Sequence, residues 1–282
     1  MVSFAPLYSF VTNVAGDDAV VKNVMTTVGP HEFNPTHEDA RILQKADLFF
    51  INGLGLDNSK AQAMKQGVEN QNLKIIDLGA KLDPKTLLEG VCHHDHGPGE
   101  VHDHTDAHVW LGPSRAIAMV NSIRDALKEA DPDHAANYDR RAAEYIAKLE
   151  KLKADGLAML QDKKERKLVT FHESMNYFAD EFKLSVHDVV QQKPGTEPGP
   201  DDIQKLLRRC AVAGVGVVAV EPQYTRNDSA KTILEELQHR GVKDARFVEF
   251  DPLETVKPED LTPDWYERKM RQNLQNLAGG LK

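Results

Sequence analysis

The stretch from Val91 to Pro113 concentrates the side chains best suited to bind a metal ion. It contains six of the protein's twelve histidines: His93, His94, His96, His102, His104 and His108. Imidazole is a common protein ligand for borderline divalent cations, so a tract this rich in histidine predicts metal binding. Glycine, proline and acidic residues separate the first five histidines, a composition typical of a loop. His108 differs, because apolar residues surround it and Pro113 then begins a helical pattern.

We therefore interpret His108 as a fixed ligand at a loop–helix junction, and the five preceding histidines as an auxiliary segment that captures metal weakly. The alternative is a solvated polar loop with no metal-binding role. Cys92 adjoins the tract and offers a thiolate as a further donor. Cys210 lies in an apolar helical pattern and is predicted to be a buried small side chain. A disulfide between the two cysteines cannot be deduced from the sequence.

Length and composition limit the possible classes of function. The 282 residues suffice for two ordinary domains, and 40% hydrophobic with 28% charged residues is typical of a soluble globular protein. A net charge of −9 argues against a nucleic-acid-binding surface or a polybasic membrane surface. The sequence contains no run of about 20 apolar residues, the length that a membrane-spanning helix needs. The chain opens directly into strand-like sequence, as expected of a mature chain whose targeting segment has been removed.

Hydrophobic and turn patterns divide the chain into alternating strands and helices. Such alternation predicts a parallel sheet with helices on both sides. The predicted strands lie at 2–5, 20–28, 47–52 and 73–79 in the first half and at 167–173, 184–191, 215–222 and 246–252 in the second. We therefore predict an α/β fold of two lobes, each with a four-stranded parallel sheet flanked by helices.

One long helix is predicted to join the lobes as a backbone. Asp131 and Pro132 form a helix start signal, and apolar residues then recur in steps of three and four as far as Leu160. A helix of roughly 30 residues would be about 45 Å long. The predicted division is an N-terminal lobe at 1–130 with a His-rich loop at 92–107, the linking helix at 131–162 and a C-terminal lobe at 163–282.

Four side chains stand where an open parallel sheet binds its ligands, at loops that follow strands or precede helices. His31 and His108 belong to the N-terminal lobe, whereas His172 and Asp251 follow strands of the C-terminal lobe. If the lobes face each other, the four donors meet in the cleft between them. Three imidazoles and one carboxylate suit a tetrahedral borderline cation such as Zn²⁺.

Each donor also has a purely structural interpretation. His31 could cap the helix that follows it, His172 could be a core histidine bonded to the backbone, and Asp251 precedes a proline, as many turn residues do. Glu32 and Glu173 adjoin two of the histidines and are reserve carboxylates.

The order of these segments resembles a known family, the cluster A-I solute-binding proteins, which are the metal receptors of ABC importers for zinc, manganese and iron. The resemblance covers essentially the whole chain. The stretches that carry it are GPHEFNP at 29–35, ADLFFINGLGLD at 46–57, DAHVWLGP at 106–113, VTFHESMNYFADEF at 169–182, EPGPDDIQKL at 197–206, VVAVEPQY at 217–224 and VEFDPL at 248–253. Ala107 and Gly112 depart from the proline and aspartate that are frequent in the family, but neither position supplies a donor.

The resemblance implies two lobes bridged by a long helix, with one metal held by His31, His108, His172 and Asp251. A His-rich insertion before the second ligand is a feature of the zinc type in that family. Manganese relatives usually carry a carboxylate where this chain has His172, so this position also favours zinc. Whether Asp251 would bind through one oxygen or two stays open.

We therefore predict a non-enzymatic, monomeric receptor in the periplasm or another extracytoplasmic space, which delivers Zn²⁺ to a membrane permease and binds no nucleic acid. The alternatives are a manganese or iron receptor of the same family, an adhesin on the same scaffold, and a zinc-dependent hydrolase. A hydrolase is disfavoured because catalytic zinc keeps a position open for water, whereas a fourth protein donor would close this shell. The sequence also lacks an HExxH motif, a nucleophile elbow and a phosphate-binding glycine loop.

Overall fold

The computed structural model describes residues 1–90, 105–191, 199–222 and 228–282. They form two compact units, each assembled from three chain segments. The first unit contains Met1–Leu87, Pro113–Leu152 and Leu253–Lys269, and the second contains Leu88–Gly112, Lys153–Pro252 and Met270–Lys282. These units differ from the contiguous lobes predicted at 1–130 and 163–282, because the chain passes between the units several times, twice within a helix.

The sheet of the first unit is built around two parallel strands, β1 (Leu48–Ile51) and β2 (Lys74–Asp77). Val2 extends it through single parallel bridges to Phe50 on one side and Asn23 on the other. All four predicted segments therefore take part, but two of them do so only as isolated bridges.

The two outer segments were predicted as strands at 2–5 and 20–28, and the predicted lengths were wrong. Helix α1 begins at Ala5, with Pro6 in its first turn, so only the few residues before it can pair. The N–H groups of Val2 and Ser3 donate to the carbonyl groups of Lys22 and Phe50, at 2.9 and 3.0 Å.

Four helices lie wholly within the first unit: α1 (Ala5–Ala15), α2 (His37–Arg41), α3 (Asn58–Gln66) and α4 (Pro113–Ala130). Thr36 caps α2 through the predicted capping box, in which its hydroxyl accepts from the Asp39 N–H and its own N–H donates to the Asp39 carboxylate. One buried core cluster of this unit joins helices to strands, and it comprises Ala40, Leu43, Phe49, Ile51, Ala61, Met64 and Leu73.

The second unit contains the four-stranded parallel sheet that the sequence predicted. Its strands are β3 (Lys167–Thr170), β4 (Ser185–Val189), β5 (Val217–Val220) and β6 (Arg246–Glu249), and their order across the sheet is β4-β3-β5-β6. Thr170 of β3 pairs with Ala219 of the neighbouring β5. The residues just beyond these two positions therefore leave the same edge of the sheet side by side.

Helices α6 (Asn176–Phe182), α7 (Pro200–Ala213) and α8 (Asp228–His239) flank this sheet. α7 begins with Pro200, and its last residue is followed by Gly214, whose left-handed φ of 65° suits the end of a helix. Its inner face buries Leu206, Leu207 and Cys210. Cys210 is 1% exposed and forms no disulfide, as predicted for a small buried side chain.

The predicted long helix is confirmed as α5 (Ala135–Leu160), whose 26 residues span about 39 Å. Its residues 135–152 belong to the first unit and its residues 153–160 to the second. A last helix, α9 (Trp265–Gly280), is also divided between the units, after Lys269. No helix in the described part of the chain is both long enough and apolar enough to cross a membrane.

Candidate metal centre

Each unit holds one pair of candidate metal donors. In the first unit the pair is His31 and Glu254, where Nε2 of the histidine lies 3.4 Å from Oε1 of the carboxylate. Both side chains are largely covered, with exposures of 24% and 12%. An imidazole and a carboxylate oxygen at this spacing are suitable ligands for a borderline cation.

Two turns bring His31 and Glu254 together. The Phe33 N–H donates to the Gly29 carbonyl at 3.0 Å, which folds the chain around His31. A Cβ on Gly29 would lie 3.3 Å from Oε2 of Glu254, so the glycine provides the room that this carboxylate needs. The Val256 N–H donates to the Thr26 carbonyl at 2.9 Å and holds the Glu254 segment against the same turn.

The second unit holds a pair of histidines, His108 and His172. Their ring centroids are 5.4 Å apart, and the residues are only 6% and 4% exposed. His108 directly precedes a short 3-10 helix at Val109–Leu111, and His172 lies two residues beyond strand β3. Burial of two imidazoles this close together suits a shared cation, because it limits competition from water for the ring nitrogens.

A buried aspartate fixes the orientation of the first ring. Oδ1 of Asp106 accepts from the His108 N–H at 2.9 Å and lies 2.7 Å from His108 Nδ1. The Asp106 side chain is 1% exposed. When Nδ1 carries the proton and donates it to this carboxylate, Nε2 keeps the lone pair that a metal requires.

A buried glutamate does the same for the second ring. His172 Nδ1 is hydrogen-bonded to Oε1 of Glu221, and both side chains are about 5% exposed or less. The contact follows from the sheet, because Glu221 immediately follows β5 and His172 lies just beyond β3, which pairs with β5. The Thr170 hydroxyl also donates to the His172 carbonyl at 2.8 Å and fixes the backbone of the ligand loop.

The predicted donor Asp251 has a backbone fixed by a neighbouring helix. It follows β6, and its backbone is held by Asn273, whose Oδ1 accepts from the Asp251 N–H at 2.9 Å and whose Nδ2 donates to the Asp251 carbonyl at 2.7 Å. Among the described residues, the side chains grouped as candidate metal donors are His31, His108 and His172 with Glu254, and Asp251 is not one of them.

A turn separates the two carboxylates of the same stretch. Leu253 adopts a left-handed φ of 64°, which is uncommon for a branched apolar residue, and it is fully buried. The chain therefore changes direction after the strand, and Glu254, three residues beyond Asp251, reaches His31. The sequence did show a second carboxylate near Asp251, because Glu254 ends the stretch FDPLE.

Other residues singled out from the sequence take different places. The auxiliary histidines His93, His94, His96, His102 and His104, together with Cys92, lie outside the described residues. Glu173 accepts from Asn176 Nδ2 at 3.0 Å near the start of α6. Sequence reasoning missed Asp106 and Glu221. Asp106 stands two residues before a predicted ligand, whereas nothing local marks Glu221.

The sequence matches, over residues 1–280, the family described as ZnuA, zinc-uptake complex component A, periplasmic. This chain belongs to that family. The match covers both units and all of the candidate donors, which agrees with the resemblance found in the sequence.

Two kinds of relative illustrate the similarity. The chain is 30% identical over 290 residues to the zinc-binding protein AdcA of Streptococcus pyogenes serotype M3, with 98% of this chain and 54% of AdcA covered. The chain therefore spans about half the length of that curated relative.

Among solved structures, FpvC of Pseudomonas aeruginosa in complex with Ni²⁺ has a TM-score of 0.83 at 26% identity, covering 99% of this chain and 95% of FpvC. The Zn(II)-bound ZnuA-like domain of Streptococcus pneumoniae AdcA has a TM-score of 0.76 at 25% identity, covering 99% and 97%.

Proposed function

We propose that this protein is the zinc-binding receptor of an ABC-type importer, which captures Zn²⁺ outside the cytoplasm and delivers it to a membrane permease. The observation that carries the proposal is the pair of buried histidines, His108 and His172, each backed by a buried carboxylate. Such carboxylate–histidine pairs are the usual support of metal ligands, because they set the tautomer and raise the basicity of the ring.

We propose further that His31, His108, His172 and Glu254 bind a single ion. His31 and Glu254 would supply one nitrogen and one oxygen, and His108 and His172 would supply two nitrogens. Three imidazoles and a carboxylate complete a tetrahedral shell for Zn²⁺. A closed shell leaves no open position for a reacting water, which favours a receptor over a zinc-dependent hydrolase.

The donor set also bears on the choice of metal. Manganese favours oxygen donors, whereas imidazole nitrogens suit zinc, copper and nickel. A manganese or iron receptor of the same family is therefore the second candidate, and the Ni²⁺ complex of the similar FpvC protein is a reason to test several metals. Zinc is favoured because relatives of this chain are named as zinc-binding proteins.

The family description and the names of relatives support the proposed place of action. The family is described as periplasmic, and the Streptococcus pneumoniae relative is named a lipoprotein. Both descriptions support an extracytoplasmic receptor, and we propose that it works as a monomer with a permease partner.

The identity of the fourth donor can be tested directly. Zinc affinity of metal-stripped protein is measured by competition with a chromophoric chelator for the wild type, Glu254→Gln and Asp251→Asn. We expect Glu254→Gln to lose more than about 100-fold in affinity, since it removes a ligand charge, and Asp251→Asn to stay near the wild type. The reverse pattern would mean that Asp251, and not Glu254, is the fourth ligand. If the wild-type protein fails to bind zinc tightly, the proposed receptor function is refuted.

The role of the His-rich tract needs a separate variant, in which residues 93–104 are deleted. The flanks of the tract are already joined, because Glu89 and Thr105 form an antiparallel bridge and the Asp106 N–H donates to the Leu88 carbonyl at 2.9 Å. The shortened chain can therefore close as a turn. We expect one tight zinc site to survive the deletion, with slower capture at scarce zinc. Loss of the tight site would mean that the tract itself is the binding site.

A further inference from the structure

Tyr177 connects three separate pieces of backbone in the second unit through its hydroxyl group. The hydroxyl accepts from the Leu88 N–H at 2.9 Å and donates to the Asp106 carbonyl at 2.9 Å. The ring itself is anchored in α6, at the second residue of that helix, and is fully buried. One hydroxyl group therefore joins α6, the chain before residues 91–104 and the chain after them.

Each of these pieces leads directly to a candidate ligand. Asp106 holds His108 through both the backbone N–H and the ring, so the position of the Asp106 backbone sets the position of that ring. His172 lies five residues before Tyr177, on the loop that runs from β3 into α6. The Tyr177 hydroxyl thus connects the segment that carries His108 to the helix that follows the His172 loop.

We propose that Tyr177 is a positioning residue for the metal centre, which fixes the spacing between His108 and His172 through the Asp106 carbonyl. This inference rests on the proposed function. The rings stand 5.4 Å apart between centroids, and a ligand pair whose spacing is set before the ion arrives binds it more tightly, because less ordering is needed on binding. The bond to Leu88 adds a second effect, since it ties the described chain before residue 91 to the same hydroxyl.

Tyr177→Phe removes the hydroxyl and keeps the buried ring, so it separates positioning from packing. Tyr145→Phe is the matched control, because Tyr145 is also buried and donates its hydroxyl to Glu267 at 3.0 Å, within the first unit. We expect zinc affinity to fall about 10-fold in Tyr177→Phe, the lower end of the effects of groups behind metal ligands, and to stay unchanged in Tyr145→Phe.

Three further readouts distinguish positioning from a general loss of stability. First, the rise in melting temperature on adding zinc should shrink in Tyr177→Phe, whereas a merely structural role lowers the melting temperature equally with and without zinc. Second, the visible spectrum of bound Co²⁺ should change in Tyr177→Phe and not in Tyr145→Phe. Third, Tyr177→Phe and Asp106→Asn should be non-additive in a double-mutant cycle of zinc affinity, because they act on the same ring.

A measurement on the unmodified protein covers the case in which Tyr177→Phe fails to fold. If the hydroxyl couples the Leu88 N–H to the metal centre, zinc must slow hydrogen exchange at the Leu88 amide, since coupling between two sites is reciprocal. Unchanged exchange at Leu88 would overturn the inference. So would wild-type zinc affinity in a folded Tyr177→Phe protein, which would leave the receptor proposal intact. A wild-type protein that does not bind zinc would overturn both.

Discussion

Replacement of Glu221 tests whether the buried carboxylate behind His172 contributes to metal binding. Glu221 is not itself among the candidate donors. Its side chain is 5% exposed, and its hydrogen bond to His172 Nδ1 fixes the ring with Nε2 available for the ion. A change at this position therefore alters the ligand without removing it.

Two substitutions of Glu221 separate the charge from the hydrogen bond. Glu221→Gln keeps an amide oxygen that accepts from Nδ1 but removes the negative charge that raises the basicity of the ring. Glu221→Ala removes the acceptor as well. Groups behind metal ligands contribute about 10- to 100-fold in affinity, so we expect losses of about 10-fold for Gln and about 100-fold for Ala. These losses correspond to about 1.4 and 2.8 kcal/mol of binding free energy.

The assay is competition for zinc between metal-stripped protein and a chelator of known affinity, at one fixed pH because the imidazoles must be neutral to bind. Glu181→Gln is the control, since Glu181 is also a buried carboxylate of the second unit, where it forms an ion pair with Lys153. We expect that variant to be less stable but unchanged in zinc affinity. Equal affinity in the wild type and Glu221→Ala would refute the proposed role of Glu221.

Two further predictions concern groups remote from the candidate donors. Burial raises the pKa of the Cys210 thiol to about 11. In a Cys92→Ser variant, Cys210 should therefore react with a disulfide reagent at pH 8 only after denaturation. Rapid reaction of the folded variant would contradict this prediction. Burial raises the pKa of Asp57, which accepts from the N–H groups of Asn52 and Gly53 at 2.9 and 2.8 Å. A carboxyl group whose pKa is raised in the folded protein contributes stability at pH values below its unfolded-state pKa, and this stability is lost as pH rises through its folded-state pKa. Urea unfolding of the metal-free protein should therefore show the wild type losing stability relative to Asp57→Asn as pH rises from about 4. The opposite trend would contradict a raised pKa for Asp57.

Much of the fold could be predicted from local pattern alone. The long helix α5 follows from apolar residues that recur at helical spacing after Asp131 and Pro132, and it is observed at Ala135–Leu160. The strands β1 to β6 all lie within the predicted strand segments, and β1 and β5, which are buried at every position, are continuously apolar as expected of central parallel strands. The predicted extents of the strands at 2–5 and 20–28 were wrong, because pairing there depends on how soon α1 begins, which the apolar pattern does not show.

The candidate site was predictable only where a residue carries its own local signal. His31, His108 and His172 stand out because each is a histidine in a predicted loop or at its junction with a predicted strand or helix. Glu254 does not stand out in the sequence, because the left-handed turn at Leu253 brings it to His31. The backbone conformation of a single leucine cannot be predicted from the hydrophobic pattern.

Glu221 shows a different limit of sequence reasoning. It lies 49 residues from the histidine that it supports, and the two meet only because β3 and β5 are neighbours in the sheet. The order of strands across a parallel sheet depends on the packing of the whole unit. A group that supports a ligand from a neighbouring strand can therefore be identified only once the structure is known.

The proposed function requires that His31, His108, His172 and Glu254 bind one zinc ion together. Its most direct test is a zinc titration of metal-stripped wild-type protein, His31→Ala and His172→Ala, read as both stoichiometry and affinity. We predict one tight ion per chain in the wild type and a loss of more than about 100-fold in each variant, because each removes a ligand from the same shell. Wild-type affinity in His31→Ala, or two tight ions per chain, would mean that the two pairs bind independently and would contradict joint binding of one ion.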